Sequence, residues 1–193
     1  MAERRDRHPR SGLTRQRIVQ AAQRRFSLDG YERTTIRAVA ADAEIDPSMV
    51  MRYFGSKEGL FAAAACFDLK LPDLAAIPRK ERGLRLAQHY LRLWGRDGQG
   101  GGLAILLRTA ATNDGAAQRV REVFRGQVLP VITAAAPDAP ALRAGLIASQ
   151  LLGVAYCRHV VRMPALTTLD EGILAANLGR TIQRYLDGPI GGG

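Results

Sequence analysis

The sequence has few residues of the kinds that build disulfide scaffolds, metal sites or catalytic centres. Its two cysteines, Cys66 and Cys157, lie in apolar stretches without a CxxC spacing, which argues against a disulfide framework or a zinc site. The three histidines, His8, His89 and His159, are too dispersed to form a nucleophile with its base or a set of metal ligands. We therefore predict no enzyme, no metal and no cofactor, and we expect a reducing cytoplasm.

Long hydrophobic runs are also missing. The longest weakly polar stretch, 144–157, is interrupted by Ser149 and Gln150 and is shorter than the roughly 20 residues that a membrane helix needs. The first 13 residues carry charge with no apolar run behind them, unlike a signal peptide. We expect no membrane role.

Acidic residues are outnumbered, with 18 Asp and Glu against 28 Lys and Arg and a net charge of +10. Polyanions, above all nucleic acid, are therefore the favoured partners. Residues 1–25 hold eight arginines against Glu3 and Asp6, whereas residues 26–60 carry more acidic than basic groups. Such an N-terminal arm either follows a DNA backbone or minor groove, or is a solubilising tail.

Apolar residues recur at helical spacing through almost the whole chain, and no alternating stretch is flanked by hairpin turns. This pattern predicts an all-α fold of about nine helices. In the first segment, Ile18, Ala22 and Phe26 line one face of a helix over 14–29 that Gly30 ends. A cap at Thr34 or Thr35 predicts a second helix, Asp46 with Pro47 predicts a third, and Ser56 starts a fourth that Pro72 ends. Five more helices are predicted over 79–96, 103–112, 115–135, 141–162 and 169–186, the third of these with a kink at Pro130.

The first third of the chain has the spacing of a helix-turn-helix. With Ile36 as its first position, Ala40 falls where two helices cross closely, and Val50 packs back from the second helix. Three ordinary amphipathic helices in a bundle give a similar pattern, so this spacing alone leaves both interpretations open.

A longer linked pattern runs from Thr14 to Phe61. Its positions are Phe26, Gly30, Thr34, Thr35, Ile36, Val39, Ala40, Ala43, Ile45, Tyr53, Phe54, Lys57, Glu58 and Leu60. This stretch resembles the N-terminal DNA-binding domain of TetR-family transcriptional regulators, and its 46–61 segment is similar to actinobacterial members. The resemblance implies a basic flexible arm at 1–13, a DNA-binding domain at 14–61, a helical effector-binding and dimerisation domain at 62–187, and a flexible tail at 188–193.

The resemblance makes Asp46 to Tyr53 the recognition helix for an operator in double-stranded DNA. Arg37 matches a position that commonly reads a base, where arginine can pair bidentately with guanine for about 1–3 kcal/mol of discrimination. Lys57 matches a phosphate contact at the start of a helix, where backbone N–H groups favour an anion. The implied DNA-binding residues are Thr34, Thr35, Arg37, Pro47, Ser48, Met49, Met51, Arg52, Tyr53 and Lys57.

Two positions depart from the family pattern. Glu44 stands where this turn usually has glycine, and a left-handed backbone there costs a non-glycine residue about 1 kcal/mol. Met51 replaces a tyrosine that is common in the recognition helix, so a familiar contact becomes an apolar one, for instance with a thymine methyl group. The operator therefore cannot be borrowed from relatives.

The remaining two thirds of the chain offer candidate surfaces for a second copy. A row of small residues at spacing four and an apolar stripe on the last helix favour a homodimer, although both faces could pack inside one chain. In the TetR resemblance the last two helices form a four-helix bundle between subunits. The dimer candidates are Gly145, Ser149, Gly153, Leu174, Leu178, Ile182 and Tyr185.

The resemblance also implies an unknown small-molecule effector, bound among the middle helices. A mostly apolar cavity with a few polar groups suits a hydrophobic or aromatic molecule. Arg108 is always charged and lies in an apolar segment, so its guanidinium needs a hydrogen-bonding partner or a cavity to face. It could equally bond to carbonyl groups at a helix C-terminus. The other candidates could instead be core residues. The full set is Phe67, His89, Tyr90, Trp94, Arg108, Phe124, Gln150 and Tyr156.

Together these patterns predict a homodimeric repressor that leaves a palindromic operator when a small, largely apolar effector binds. A ligand-independent architectural DNA-binding protein and a helical enzyme are the alternatives. The effector, the operator and the choice between repression and activation stay open.

Overall fold

The computed structural model describes residues 8–66, 68–94 and 101–190. Within these ranges the chain is helical and has no strand, so the predicted all-α class is confirmed. The predicted pocket residue Phe67 and residues 1–7 of the predicted arm lie outside the described residues. None of the described helices is both long enough and apolar enough to span a bilayer.

The helices begin and end as follows. They are α1 (His8–Arg33), α2 (Ile36–Asp42), α3 (Pro47–Phe54), α4 (Lys57–Ala64), α5 (Arg82–Leu93), α6 (Gly101–Thr109), α7 (Asp114–Val123), α8 (Leu129–Ala135), α9 (Pro140–Ala155), α10 (Pro164–Thr167) and α11 (Glu171–Asp187). Single π-helical turns at Phe124–Val128 and Tyr156–Val160 follow α7 and α9, and 3-10 turns at Leu74–Ala76 and Arg79–Glu81 precede α5.

Side-chain caps start three of these helices where the sequence predicts them. Thr35, Asp46 and Ser56 accept hydrogen bonds from backbone N–H groups in the first turns of α2, α3 and α4, at 3.1, 2.8 and 3.1 Å. Such caps each stabilise a helix by about 1 kcal/mol. Gly30 has a φ of +77° and interrupts α1, which confirms the predicted left-handed glycine.

Several helix ends differ from the prediction. Helix α4 ends at Ala64 rather than continuing to Pro72. The predicted continuation is not helical at its far end, where Lys70 is left-handed, with a φ of +45°, and the Leu69 N–H donates to Gln127 at 2.7 Å. The predicted 115–135 helix contains a π-helical turn before Pro130, whose ring nitrogen has no hydrogen to donate to the preceding turn. Helix α1 begins at His8, before the predicted start at residue 14.

Backbone contacts divide the described chain into two compact units. The N-terminal unit holds the residues up to Cys66 together with Gly101–Ala116, and the C-terminal unit holds the other described residues. In the N-terminal unit α2, α4 and α6 pack on α1, and Phe26, Leu60 and Ile105 are fully buried there. This division does not follow the predicted boundary after residue 61, because α6 packs with the N-terminal helices.

In the C-terminal unit, α5 and α11 cross with their backbones in near contact. A Cβ on Gly83 would lie 2.3 Å from the Gly179 carbonyl oxygen, so only glycine fits at this crossing. The apolar stripe of α11, namely Leu174, Leu178 and Ile182, is buried within this unit. The assignment of these three residues to a dimer interface is therefore corrected: they are core residues of one chain.

Arg143 is the largest fully buried side chain, with 1% of its surface exposed. Its guanidinium donates to the Asp138 carboxylate at 2.8 Å and to the carbonyl oxygens of Tyr185 and Gly188 at 2.6 and 3.0 Å. The last carbonyl groups of a helix have no partner within it. Arg143 thus joins the start of α9 to the end of α11.

Candidate nucleic-acid interface

Helices α2 and α3 form a helix-turn-helix whose inner face is packed. Val39, Ala40 and Val50 are fully buried, as the spacing predicts. The opposite face of α3 is open: Pro47, Ser48, Met51 and Arg52 are exposed, and Met49 and Tyr53 are half-buried. Helix α3, the predicted recognition helix, therefore presents hydroxyl, thioether and guanidinium groups to the surroundings.

Arg37 on α2 and Thr35, the N-cap of α2, differ in their hydrogen bonds. Arg37 is exposed, and no hydrogen bond or ion pair joins it to any residue that the structure describes. Thr35 is also exposed. Its oxygen accepts the cap bond from Ala38, which leaves the hydroxyl proton for another acceptor.

Thr34 does not lie with these exposed groups. Its side chain is buried, and its hydroxyl donates to the Gly30 carbonyl oxygen at 2.7 Å. A buried hydroxyl that is already bonded has no proton to offer a phosphate. The side-chain role implied for Thr34 in DNA binding is therefore corrected: it closes the connection between α1 and α2.

Lys57 is the first residue of α4, as predicted. Its ammonium lies 4.4 Å from the centre of the Tyr31 ring and donates to the Glu32 carbonyl oxygen at 3.1 Å. The Tyr31 hydroxyl donates to Glu58 at 2.9 Å. Burial and this hydrogen bond raise the pKa of Tyr31 to about 12, so the phenol stays protonated at neutral pH.

The turn between α2 and α3 contains the unusual Glu44. Its φ is +54°, which confirms a left-handed residue at this position. Its carboxylate pairs with Arg17 of α1 at 3.0 Å, and Arg25 of α1 binds both oxygens of Asp42 at 2.5 and 2.7 Å. The Arg25 guanidinium holds the pKa of Asp42 below its usual value. These pairs attach the helix-turn-helix to α1.

The family models decide what this unit belongs to. The model described as "Bacterial regulatory proteins, tetR family" matches residues 18–64, and the one described as "Tetracyclin repressor-like, C-terminal domain" matches residues 80–186. The chain belongs to the TetR family. It is a transcriptional regulator with an N-terminal DNA-binding domain, as the sequence pattern predicts.

Solved TetR structures share the fold. A TetR-family regulator from Streptomyces coelicolor A3 is 26% identical, with a TM-score of 0.61, and the match covers 94% of this chain and 98% of that one. A TetR-like regulator from Rhodococcus sp. RHA1 is 21% identical, with a TM-score of 0.65 and coverages of 91% and 96%. The multidrug binding protein EbrR, complexed with imidazole, is 21% identical, with a TM-score of 0.66 and coverages of 94% and 97%. No curated protein matches the chain.

The left-handed Glu44 gives a stability prediction for this TetR helix-turn-helix. In about 1 M NaCl, where salt screens the exposed pair with Arg17, Glu44→Gly is expected to raise the free energy of unfolding by about 0.5–1 kcal/mol. Urea titration measures the difference. Glu44→Ala is the control, since it loses the same pair and keeps the strained backbone. A Glu44→Gly protein no more stable than Glu44→Ala would contradict the claim that the left-handed backbone at residue 44 is strained.

The predicted effector residues are placed in different units. Arg108 belongs to the N-terminal unit, where it donates to the Ser27 carbonyl oxygen near the break in α1. A bond from Arg108 to a helix carbonyl group is the alternative that the sequence analysis left open. The structure therefore does not place Arg108 in the same compact unit as the other described candidates, which all belong to the C-terminal unit.

In the C-terminal unit, three candidates are held by specific contacts. Tyr90 is buried and donates to the Leu151 carbonyl oxygen at 2.8 Å, and burial raises the pKa of its hydroxyl. Trp94 is also buried and stacks on His159 with ring centres 4.3 Å apart. His89 is half-buried, and its Nε2 lies 2.7 Å from the Leu69 carbonyl oxygen. Of the other candidates, Phe124 and Gln150 are half-buried and Tyr156 is exposed.

The small-residue row on α9 faces outward. Gly145, Ser149 and Gly153 are exposed, and a Cβ on either glycine would meet no atom within 4 Å. Leu142 and Tyr156 continue this face, with 51% and 46% of their surfaces exposed. We name these five residues the α9 face. Tyr185, the last dimer candidate, is half-buried on α11.

Proposed function

We propose that this TetR-family chain is a homodimeric repressor, which binds a palindromic operator and leaves it when a small, largely apolar effector binds the C-terminal unit. The observation that carries the proposal is a helix-turn-helix whose inner face is packed and whose Arg37 and α3 side chains are exposed. An uncommitted guanidinium is suited to a bidentate contact with a guanine edge in the major groove.

Within this interface, Arg37 and Lys57 have different tasks. Arg37 reads a base, because its planar fork matches the two acceptors of guanine. Lys57 contacts a phosphate, since it is the first residue of α4, and the N-terminus of a helix favours an anion. A base contact supplies specificity, whereas a phosphate contact supplies affinity for any sequence.

This division predicts two distinct binding defects. Arg37→Ala is expected to relax the preference at one base position by about 1–3 kcal/mol, whereas Lys57→Ala weakens binding to operator and random duplex by a similar factor. Competition titrations with single-base variants of a selected duplex measure both. Arg92→Ala, which removes an exposed charge from the C-terminal unit, is the control for lost charge. Equal loss on operator and random DNA in both variants would contradict base reading by Arg37.

The homodimer is proposed to form through the α9 face. A two-fold interface brings the same patch of each subunit together, and the open row of small residues lets two helices approach closely. Leu142 and Tyr156 supply exposed apolar area beside that row. Two recognition helices in one dimer then account for a palindromic operator.

A charge placed on the α9 face is expected to separate the subunits. Gly153→Glu should give a folded monomer, because the new side chain extends into open space in one chain and would be desolvated in the dimer. Sedimentation velocity measures the state. Gly126→Glu, at another exposed helical glycine with open space around it, should stay dimeric. A dimeric Gly153→Glu protein would place the interface elsewhere.

The effector is proposed to bind in the C-terminal unit, near its aromatic candidates. Two π-helical turns contain Phe124, Tyr156 and His159, and such turns are frequent at functional sites. EbrR, which has the same fold, is a multidrug binding protein. Screening aromatic and aliphatic compounds tests this. An effector raises the melting temperature and lowers affinity for the selected duplex, since the coupling is reciprocal. Compounds that bind without releasing DNA would favour the architectural alternative.

A further inference from the structure

We propose that Tyr31 is a positioning residue that holds the Lys57 ammonium for its phosphate contact. This role depends on the proposed DNA-binding function. Three features carry it: the fixed Tyr31 ring, the ammonium on the face of that ring, and the hydroxyl bond to Glu58.

The Tyr31 ring is fixed by its neighbours. It stacks on Phe26 with ring centres 5.9 Å apart, and Phe61 meets it edge-on at 5.0 Å. Phe26 is fully buried, and Phe61 nearly so. Gly30, with its left-handed backbone, directly precedes Tyr31 and redirects the chain there. The ring is therefore a rigid platform at the edge of the core.

Lys57 rests on this platform. Its ammonium lies 4.4 Å from the ring centre, within the range of a cation–π interaction. One of its three donors is used by the Glu32 carbonyl oxygen at 3.1 Å, so other donors remain for phosphate oxygens. A free lysine side chain loses much rotational freedom when it binds. The ring and the carbonyl restrict that freedom before DNA arrives.

The Tyr31 hydroxyl has a second effect. It donates to Glu58 at 2.9 Å, so the carboxylate next to Lys57 in sequence already has a partner. Within the described chain no ion pair within 4.0 Å joins Lys57 to an acidic side chain. The positive charge of Lys57 is thus left for an anion of another molecule.

The salt dependence of DNA binding separates this role from a structural one. For B-DNA, the logarithm of the binding constant falls against the logarithm of salt concentration with a slope of about −0.9 per neutralised phosphate. Lys57→Ala should make the slope shallower, by about 0.9 for each subunit bound. Tyr31→Leu should make it similarly shallower in the wild-type background and should not change it further when combined with Lys57→Ala. Tyr31→Phe keeps the ring and loses the bond to Glu58, so it should change the slope less than Tyr31→Leu does.

Ile105→Val is the matched control. It shortens a fully buried side chain of the same unit and leaves in place both rings that contact Tyr31, so it should lower stability and leave the slope unchanged. The duplex is one selected by the wild-type protein from random DNA, at salt concentrations where every variant is folded by circular dichroism. A wild-type slope in Tyr31→Leu, or a further loss in the double variant, overturns the role of Tyr31.

A readout without DNA keeps the positioning role distinct from the proposed function. In the wild-type protein, ring current from Tyr31 should shift the Lys57 Cε proton resonances upfield. Tyr31→Phe should retain that shift, and Ile105→Val should retain it too. Resonances at free-lysine positions in the wild-type protein would overturn the positioning role even if DNA binds. Wild-type protein that shows the shift and binds no DNA would instead overturn the proposed function.

Discussion

Gly83→Ala is expected to destabilise the protein strongly. The new Cβ would lie 2.3 Å from the Gly179 carbonyl oxygen and 2.6 Å from the Gln183 backbone nitrogen. Both are backbone atoms of α11, so no side-chain rotation can relieve the clash and the two helices must separate. Overpacking of this kind costs about 3 kcal/mol, which corresponds to a melting temperature about 6–12 °C lower.

Thermal and urea unfolding at one fixed protein concentration measure the Gly83→Ala effect. Gly126→Ala is the matched control, because its Cβ meets no atom within 4 Å in a helical turn. There alanine should be neutral or should stabilise by up to about 1 kcal/mol. If Gly83→Ala had the same melting temperature and urea midpoint as the wild-type protein, the close crossing of α5 and α11 would be disproved.

Arg143→Met should have the second large effect, a loss of about 3 kcal/mol. Methionine approximates the volume of the buried side chain but leaves the carbonyl oxygens of Tyr185 and Gly188 without their donor. Buried acceptors without partners are costly. Arg143→Lys should also destabilise, because a single ammonium cannot supply the planar fork that reaches both carbonyls and Asp138.

Urea unfolding of Arg143→Met is compared with that of Arg79→Met. Arg79 pairs with Asp187 at 2.9 Å and is 61% exposed, so its loss should cost no more than about 1 kcal/mol. The Arg143 effect should also persist in high salt, because a buried group is poorly screened. Equal stabilities of the two variants would show that Arg143 does not hold α9 to α11.

How much of the fold follows from sequence depends on where the controlling contact lies. Local signals worked: Thr35, Asp46 and Ser56 start helices through bonds to residues two or three positions away. The predicted continuation of α4 to Pro72 was wrong, and within it a distant group, Gln127, binds the Leu69 N–H. Nothing near Leu69 in sequence announces that partner.

Periodicity also cannot say what covers an apolar face. The stripe of Leu174 and Leu178 looks the same for a dimer interface and for a core, and within one chain α5 covers it. For Arg143 a signal was present, since it precedes the buried Ile147 and Leu151 at spacing four and so lies on the inner face of α9. Sequence alone does not reveal which carbonyls would bind it.

In the candidate interface, the resemblance predicted the DNA-binding residues but not Tyr31, whose ring lies against Lys57. The approach of Lys57 to Tyr31 joins residues far apart in the chain, and no local pattern indicates it. The departure at Glu44 was visible in sequence because glycine is the usual residue there. Its left-handed backbone follows from the turn geometry.

The central claim is that the chain reads a specific duplex as a dimer. The most direct measurement is selection of bound sequences from random duplex DNA by the full-length protein at physiological salt, followed by titration of the enriched duplex. We expect a pseudo-palindrome with half-sites about one helical turn apart and two protomers on each duplex. Binding that falls steeply with salt and enriches no sequence, or no binding at all, would contradict that claim.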